Sequence, residues 1–231
     1  MQFFYSQKID NDFIILEGQE MIHCIKVLRH KINDLIYIVD GKGSLFYAKI
    51  IDIHKDHCEL SIKTKKTIKR KFPIHLLISP TKNHKRIEWM IEKVVEIGIE
   101  RVSFLRCKNS IRTKVNLERL NKIALSAMKQ TQNTFLPIID QCMPFFDAFD
   151  LISSDQKYIA HLNKNDNLLL SKVLKSEGSR CIFIGPEGDF DENEIEYSLS
   201  KNFIEVSLGA SRLRTETSGI VSTTILNIGN E

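Results

Sequence analysis

The spacing of apolar residues changes near Pro73, and this change limits the folds that the chain can adopt. Upstream, short apolar runs of β-type composition follow one another closely, at residues 13–16, 35–39, 45–53 and 58–62. Short strands in such a series favour a small barrel. Downstream, apolar runs alternate with amphipathic stretches, first at residues 74–78 and 85–97, which favours a parallel sheet flanked by helices. We therefore predict two domains, residues 1–71 and residues 72–231.

The predicted first domain contains a hairpin and a short helix. The segment Asp40–Gly43 lies between two apolar runs and supplies residues that tolerate positive φ, as a tight hairpin turn requires. Glu20–Arg29 places its apolar residues at roughly helical spacing, with His23, Lys26 and Arg29 beside them. This helix is therefore a candidate to present cations.

The predicted second domain shows repeated strand and helix signals. In residues 85–97 the apolar side chains form one stripe, and Gly98 suits the C-terminal cap of that helix. Asp191 with Glu194 resembles a capping box, and a last helix begins near Thr217. The other predicted elements are a helix at 117–128 and strands at 102–105, 158–162, 181–184 and 203–207. Each alternation supports a parallel sheet.

Positive charge is concentrated between residues 63 and 114, which hold fifteen Lys or Arg and four Glu. Cations that neutralise phosphates release condensed counterions, so such a cluster is typical of a nucleic-acid-binding surface. The alternative is that the Lys-rich run 63–71 is a solvated linker between the domains. The formal net charge of the whole chain, +4, favours neither interpretation.

The sequence disfavours several classes of protein. Its first residues lack the regions of a signal peptide, and no apolar run approaches the roughly 20 residues of a membrane span. The five cysteines are scattered, without a C-x-x-C pair or a histidine at zinc spacing, so we predict free thiols, no metal ion and no membrane association. Reduced cysteines are typical of cytoplasmic proteins, and we predict that location.

Two polar loops follow predicted strands, at the edge where ligands bind in open α/β sheets. Gly185–Phe190 carries two glycines and a proline, which permit close approach to a ligand and stiffen the turn. It lacks the Gly-Lys-Ser or Gly-Lys-Thr of a phosphate-binding loop. Ser207–Thr217 packs two arginines, a carboxylate and several hydroxyls before an apolar helix, which indicates a site. Each loop also has a structural interpretation, as a plain turn or as the cap of the last helix.

Taken together, the two loops resemble the signatures of a known enzyme family. Gly185-Pro-Glu-Gly188 and Leu208-Gly-x-x-x-Leu-Arg-Thr-Glu-Thr217 are similar to motifs of the RsmE family, the 16S ribosomal RNA uracil-N3 methyltransferases. The similarity extends to His23-x-x-x-Val-Leu-Arg29, Lys93-x-x-Glu96-x-Gly98 and Ala127-Met-Lys-Gln130. It therefore covers nearly the whole chain.

The resemblance implies a fold, a cofactor and partners. It implies an N-terminal PUA-like barrel that binds RNA, followed by a SPOUT domain whose C-terminal trefoil knot forms the pocket for S-adenosylmethionine. Topology rules alone would favour an unknotted sheet. The resemblance also implies a homodimer that methylates N3 of a uridine in the 16S rRNA of the 30S subunit, without a metal ion.

Site residues follow from the resemblance and from the chemistry. The resemblance implies three loops that enclose the cofactor, with His161, Leu162, Gly185, Glu187, Gly188, Ser207, Leu208, Gly209 and Leu213. For catalysis, we predict that Arg214 stabilises the charge that develops on uracil O2 and O4, and that Glu216 accepts the N3 proton or orients Arg214. For RNA binding, the predicted residues are His23, Arg29, Lys65, Lys66, Lys82, Arg86 and Arg112.

The chain departs from the family pattern at one place. The usual Glu-Gln-Ser-x-Arg reads Lys129-Gln-Thr-Gln-Asn133, so an acid and an arginine are missing. This departure keeps open a catalytically impaired protein that binds the ribosome as an assembly factor. A third possibility is a knotted methyltransferase that modifies a different position in rRNA.

Overall fold

The computed structural model describes residues 2–70, 72–162 and 168–228 and divides into two compact units. The first unit comprises Met1–Arg70 with Leu125–Leu136, and the second comprises Lys71–Ala124 with Pro137–Glu231. The split lies beside the predicted boundary at residue 71, which is itself outside the described residues. Leu125–Leu136 joins the first unit although it lies far along the chain.

The first unit is built on one six-stranded sheet. Its strands are β1 (Phe3–Tyr5), β2 (Lys8–Ile9), β3 (Phe13–Glu17), β4 (Leu35–Val39), β5 (Ser44–Ile53) and β6 (His57–Thr67), in the order β1-β4-β5-β6-β3-β2. β1 and β2 occupy opposite edges although two residues separate them, so the sheet must curl. Ser6, between β1 and β2, links β4 to β3, because its N–H donates to Val39 O at 3.1 Å and its Oγ donates to Ile15 O at 2.6 Å. The curled sheet confirms the predicted small barrel.

The predicted hairpin is confirmed, and the predicted helix changes character along its length. β4 and β5 pair antiparallel on either side of residues 40–43, where Asp40 Oδ1 accepts two backbone N–H groups of the turn. α1 spans Gly18–Ile22 and continues as a π-helical turn, His23–Val27. Arg29 then has a φ of +58°, which lies outside the right-handed helical region.

The basic run after residue 62 is a strand as far as Thr67, which corrects the interpretation of the whole run as a linker. β6 pairs with β5 over most of the length of both strands. The lysines of this stretch are exposed, so its stability comes from ladder hydrogen bonds rather than from apolar burial. Backbone hydrogen bonds leave no trace in a pattern of apolar residues. The strand predicted at residues 58–62 is therefore shorter than β6.

The second unit contains a seven-stranded sheet in which all neighbouring strands are parallel. Its strands are β7 (Ile74–Ile78), β8 (Arg101–Arg106), β9 (Ile138–Pro144), β10 (Gln156–Ala160), β11 (Leu168–Leu169), β12 (Arg180–Ile184) and β13 (Ile204–Ser207), in the order β11-β13-β10-β12-β7-β8-β9. Its helices are α2 (His84–Ile97), α4 (Leu170–Val173), α5 (Glu192–Ser200) and α6 (Thr215–Ile228), with a 3-10 helix at Phe146–Leu151. Helix α3 (Leu117–Gln130) begins in this unit, and its residues from Leu125 onward belong to the first unit.

Both faces of this sheet are covered. Leu76 and Ile78 of β7 lie on the α6 side, where a Cβ added to Gly219 would stand 2.9 Å from Ile78 Cδ1 and 3.4 Å from Leu76 Cδ2. Leu77, between them, belongs to a cluster on the opposite face with Phe145 and Phe183. The predicted class, a parallel sheet flanked by helices, is therefore confirmed, and the trefoil knot stays a prediction.

Helix ends follow the predicted signals closely. Asp191 and Glu194 form the capping box at the start of α5. Asn83 caps α2 through its side chain, and Gly98, with a φ of +110°, follows the last residue of that helix. α6 begins at Thr215, two residues before the predicted position. Within the described ranges, no helix has the length and apolar character needed to cross a membrane.

Arg180, the first residue of β12, is fully buried. Its Nη1 donates to Leu226 O near the end of α6, and its Nη2 donates to Lys175 O and Ser176 O, each at 3.0 Å. Burial lowers the pKa of Arg180, and Tyr158 acts in the opposite direction. The guanidinium therefore ties the start of β12 to the end of α6.

We expect Arg180→Met to lower the free energy of unfolding by about 2–4 kcal/mol, because buried carbonyl groups lose a charged donor. Urea denaturation followed by circular dichroism measures the change. Arg119→Met is a matched control, because Arg119 is exposed and solvent screens its ion pair with Glu88. Equal losses in the two variants would contradict the role of Arg180.

A buried polar chain crosses β7, β8 and β9. His75 Nε2 lies 2.7 Å from Ser103 Oγ, and Ser103 donates to Asp140. Arg101 donates to both oxygens of the same carboxylate, at 2.7 and 3.0 Å. Burial lowers the pKa of His75 to about 4, and the charge of Arg101 adds to this effect. His75 is therefore neutral near pH 7.

His75 should make the fold sensitive to mild acid. Its pKa falls from an ordinary value of 6.5 to about 4 on folding, so protons favour the unfolded chain. Its contribution to stability is complete above about pH 6.5 and is lost as the pH falls toward 4. Thermal unfolding between pH 7 and pH 5 should show a weaker pH dependence in His75→Gln than in the wild type. Identical profiles would rule out His75 as the source.

Candidate active site

A cavity of about 420 Å³ lies at the carboxyl ends of β10, β12 and β13. These strands are neighbours in the sheet, and ligands bind at this edge in open α/β folds. Three loops line the cavity, one after each strand, together with Arg86 of α2 and the first turn of α6. The volume lies within the range of about 300–1,000 Å³ that is usual for small-molecule sites.

The first two loops are joined through Asp189. Its Oδ2 accepts the Leu162 N–H at 2.8 Å, and its Oδ1 accepts the Phe190 N–H at 2.9 Å. Asp189 has a φ of +64°, a conformation that Asp and Asn tolerate better than most residues. Its N–H donates to Pro186 O at 3.0 Å, which closes the turn. One carboxylate thus fixes both loops.

The two glycines of the second loop make room for neighbouring protein groups. A Cβ on Gly185 would stand 3.1 Å from the Phe190 ring, and a Cβ on Gly188 would stand 3.3 Å from Asn109 Cβ. Gly185 also lines the cavity, whereas Gly188 is not among the lining residues. The predicted cofactor contact therefore has geometric support at Gly185 and lacks it at Gly188.

The third loop is joined to the second at the start of α6. Thr215 Oγ1 donates to Gly185 O at 3.2 Å, and both residues are buried. In this loop Gly209 N–H donates to Ser207 Oγ at 3.2 Å, which forms a local turn. Ser207, Leu208, Gly209 and Leu213, all predicted to contact the cofactor, line the cavity.

Glu216 forms an ion pair with Arg86 of α2. Glu216 is buried in the first turn of α6, and its Oε1 lies 3.5 Å from Arg86 Nε. The sequence predicts Arg86 as an RNA-binding residue and Arg214 as the residue that Glu216 orients. The structure instead brings Arg86 to the carboxylate, across 130 positions of sequence.

Arg214 is an exposed residue that lines the cavity. Among the described residues it has no ion-pair partner, and its carbonyl accepts the Ser218 N–H at 2.8 Å. Arg212 is also exposed at the cavity. The cavity is therefore lined by the exposed residues Arg212 and Arg214 and by the buried residue Glu216.

His161 and Leu162 both line the cavity, but their environments differ. The His161 side chain is only 5% exposed, and its Nε2 lies 2.7 Å from Glu205 Oε1 on β13. Leu162 is exposed, and its backbone N–H is held by Asp189. His161 is thus packed against the sheet, while Leu162 offers an apolar surface to the cavity.

Glu187, Lys82 and Arg112 form one connected group. The Lys82 N–H donates to Glu187 Oε1 at 3.0 Å. Arg112 Nη2 donates to Lys82 O at 2.8 Å, and Arg112 Nε donates to Thr81 O at 3.2 Å. Glu187 lines the cavity, whereas Lys82 and Arg112 do not. The Arg112 guanidinium is therefore engaged with backbone carbonyls.

The RNA-binding residues predicted in the first unit do not form one cluster. Lys65 and Lys66 are consecutive on β6, so their side chains project to opposite faces. Lys65 Nζ lies 5.4 Å from the centre of the Phe46 ring. His23 is half-buried, with its ring 5.8 Å from that of Phe4, and Arg29 is exposed.

Sequence reasoning missed Asp189 and the pairing of Arg86 with Glu216. A signal for Asp189 existed, because an aspartate after a glycine in a short loop favours a turn with positive φ. No local signal could reveal the Arg86 pair, since its two members lie on different helices.

Comparisons with known proteins agree with this arrangement. Residues 68–227 match the model of an RNA methyltransferase domain, and residues 16–63 match that of an RNA methyltransferase PUA domain. A probable rRNA-methyltransferase from Porphyromonas gingivalis has a TM-score of 0.90 and 34% identity, covering 100% of this chain and 98% of its own. The fold and the cavity thus define an RNA methyltransferase with a PUA domain.

The curated relatives narrow this class. The ribosomal RNA small subunit methyltransferase E of Buchnera aphidicola is 31% identical over 94% of this chain and 88% of its own length. That of Neisseria gonorrhoeae, solved bound to S-adenosyl methionine, has a TM-score of 0.85 and 25% identity, covering 99% of this chain and 97% of its own. The chain belongs to the ribosomal RNA small subunit methyltransferase E family.

Replacing Asp189 tests how the loops are held. In Asp189→Ala we expect the Leu162 amide to exchange hydrogen about tenfold faster or more, because it loses a charged acceptor worth about 1.5–3 kcal/mol. Exchange of the peptide that contains Leu162 is measured by mass spectrometry. Asp147→Ala, an exposed change elsewhere in this unit, should leave the rate unchanged. An unaltered exchange rate in Asp189→Ala would contradict the role of Asp189 in holding the Leu162 amide.

Proposed function

We propose that the chain transfers a methyl group from S-adenosylmethionine to N3 of a uridine in the 16S rRNA of the small ribosomal subunit. It acts as a homodimer, in the cytoplasm with its ribosomal substrate. The single observation that supports the proposal best is the cavity formed by three interlocked loops at the ends of β10, β12 and β13. The five cysteines of the chain are all free thiols, which suits a reducing compartment such as the cytoplasm.

The residues of the cavity fit S-adenosylmethionine. Leu162, Val206, Leu208 and Leu213 supply apolar surface that suits a purine ring. Hydroxyl and backbone groups of Ser207–Leu213 suit the polar parts of the molecule. When bound, this cofactor supplies a methyl group that its sulfonium already activates. No metal ion is needed for such a transfer.

Arg214 is the group that we assign to the uracil. N3 carries a proton at neutral pH, and loss of that proton spreads negative charge onto O2 and O4. A guanidinium positioned at the cavity stabilises this charge with little reorganisation. Arg214 is exposed there and has no ion-pair partner among the described residues, so its donors are available to a substrate.

Glu216 is the candidate acceptor of the N3 proton. It lines the cavity, and Arg86 holds one of its oxygens at 3.5 Å. Arg86 is then a positioning residue that orients the carboxylate, and the alternative in which Glu216 orients Arg214 loses support. In the proposed reaction the N3 proton passes to the Glu216 carboxylate and the N3–methyl bond forms, while the bond between that methyl group and the donor sulfur breaks and S-adenosylhomocysteine leaves.

Access to the uridine requires that the base leave the RNA stack. Bases in structured RNA are reached by proteins when they are splayed out and held by contacts to the backbone. The exposed cations of the first unit, Arg29, Lys65 and Lys66, supply phosphate contacts in this proposal. We expect binding to weaken as salt rises.

Removing the Arg214 guanidinium should separate catalysis from cofactor binding. We expect Arg214→Ala to lower kcat on unmethylated 30S subunits by about 100- to 1,000-fold, because a preorganised charge is lost in the transition state. The affinity for S-adenosylmethionine, measured by calorimetry, should change less than about threefold. Lys201→Ala, which removes an exposed cation on the same unit, should retain full activity.

The same assay distinguishes the alternatives. Cofactor affinity without any methylation would favour the ribosome-binding assembly factor. Methylation mapped by mass spectrometry to a different nucleotide would favour the methyltransferase of altered target. A fully active Arg214→Ala variant would remove Arg214 from the mechanism and leave the family assignment untouched.

A further inference from the structure

The hairpin that joins β5 to β6 brings two histidines face to face. Its turn is Lys55-Asp56, and the His54 N–H donates to His57 O at 2.9 Å. The two imidazole rings stack with their centres 4.4 Å apart and their planes 20° apart. This part of the first unit lies outside every motif that pointed to methyl transfer.

The register of the hairpin adds two carboxylates to the same face. Asp52 lies opposite Glu59 across the strands, and each is two residues from one of the histidines. Residues two apart on a strand share a face. Cys58 lies between His57 and Glu59 and therefore points to the other face, where it is buried and where burial raises its pKa to about 11. Near the turn, the outward face thus carries two imidazole and two carboxylate groups.

Three of these side chains converge on one point. His54 Nε2 lies 3.9 Å and His57 Nε2 lies 3.8 Å from the same atom, Glu59 Oε1. All three atoms lie within 4.8 Å of one another. Asp52 Oδ2 lies 3.4 Å from His54 Nε2, so a further oxygen is close.

Direct hydrogen bonding does not explain this convergence. Distances of 3.8 and 3.9 Å exceed the 2.7–3.2 Å of an N–H···O hydrogen bond. Ligand atoms of a tetrahedral Zn²⁺ ion stand about 3.3 Å apart, given bonds of about 2.0–2.1 Å. The three side chains are partly exposed, so small rotations bring their ligand atoms to that spacing.

Asp56 contacts the nitrogen of His57 that faces away from the three converging atoms. Its Oδ1 lies 2.9 Å from His57 Nδ1, and the hydrogen bond from His57 lowers the pKa of Asp56. A carboxylate on the remote nitrogen fixes the imidazole with its Nε2 lone pair directed outward. Histidines that bind metals are oriented in this way by a carboxylate or carbonyl acceptor.

We propose that this hairpin binds one divalent transition-metal ion through His54 Nε2, His57 Nε2 and Glu59 Oε1. Water or Asp52 supplies the fourth ligand. Two imidazoles and a carboxylate favour Zn²⁺, Co²⁺, Ni²⁺ or Cu²⁺ and disfavour Mg²⁺ and Ca²⁺, which prefer oxygen ligands alone. The proposal replaces, for this surface, the sequence-based prediction of no metal ion, which depended on the absence of a C-x-x-C pair and of a histidine at zinc spacing from a cysteine.

The test is calorimetric titration of the full, untagged chain with Zn²⁺. We expect one site, and a higher melting temperature with Zn²⁺ than after chelation. His57→Ala and the more conservative Glu59→Gln should each weaken binding by about tenfold or more. His84→Ala is the control, because His84 is an exposed histidine outside the hairpin, and it should bind as the wild type does. Mg²⁺ should give no signal.

Two further readouts separate this site from adventitious binding. Co²⁺ bound at the hairpin should show visible absorption without a thiolate charge-transfer band, because the cysteines are not ligands. Asp56→Asn should weaken binding while leaving the three ligands in place. A thiolate band, an absence of binding in the wild type, or equal Zn²⁺ affinity in His57→Ala, Glu59→Gln and the wild type would overturn the proposal.

Discussion

Helix α6 is fixed to β12 at both of its ends, and the geometry of the cavity depends on this attachment. Arg180 at the start of β12 donates to the carbonyl of Leu226 near the end of the helix. Thr215 at the first turn donates to Gly185, the residue after β12. Between these points Gly219 allows the helix to lie close to β7. The helix therefore cannot shift along the sheet without breaking buried hydrogen bonds, and Glu216 in its first turn keeps its position at the cavity.

Much of this fold was predictable because its local signals agree with its long-range pairing. The hairpin at Asp40–Gly43 and the capping box at Asp191 depend on neighbouring residues, so the sequence predicts both. The pair of Glu216 with Arg86 depends on which segments meet. Such meetings follow from sheet register and helix packing, which a single sequence does not reveal. The loops of the cavity were predicted by resemblance rather than from spacing.

The departure from the family pattern has a local structural basis. Lys129 forms an ion pair with Glu20 in which both side chains are largely buried, within the first unit. Asn133 Oδ1 accepts the N–H groups of Thr134 and Phe135, at 2.8 and 3.2 Å. Neither residue is among those that line the cavity in the second unit. The changes therefore give no reason to expect a damaged cofactor site.

The first unit is discontinuous in sequence, and this has a consequence during synthesis. Gly43 donates to Thr134 O at 3.0 Å, and a Cβ on Gly43 would stand 2.6 Å from the Phe135 ring, so the β4–β5 turn is shaped around residues made much later. A ribosome must translate 66 residues beyond Arg70 before Leu136 exists. At about 5–20 residues per second, the nascent barrel waits several seconds with that turn uncovered.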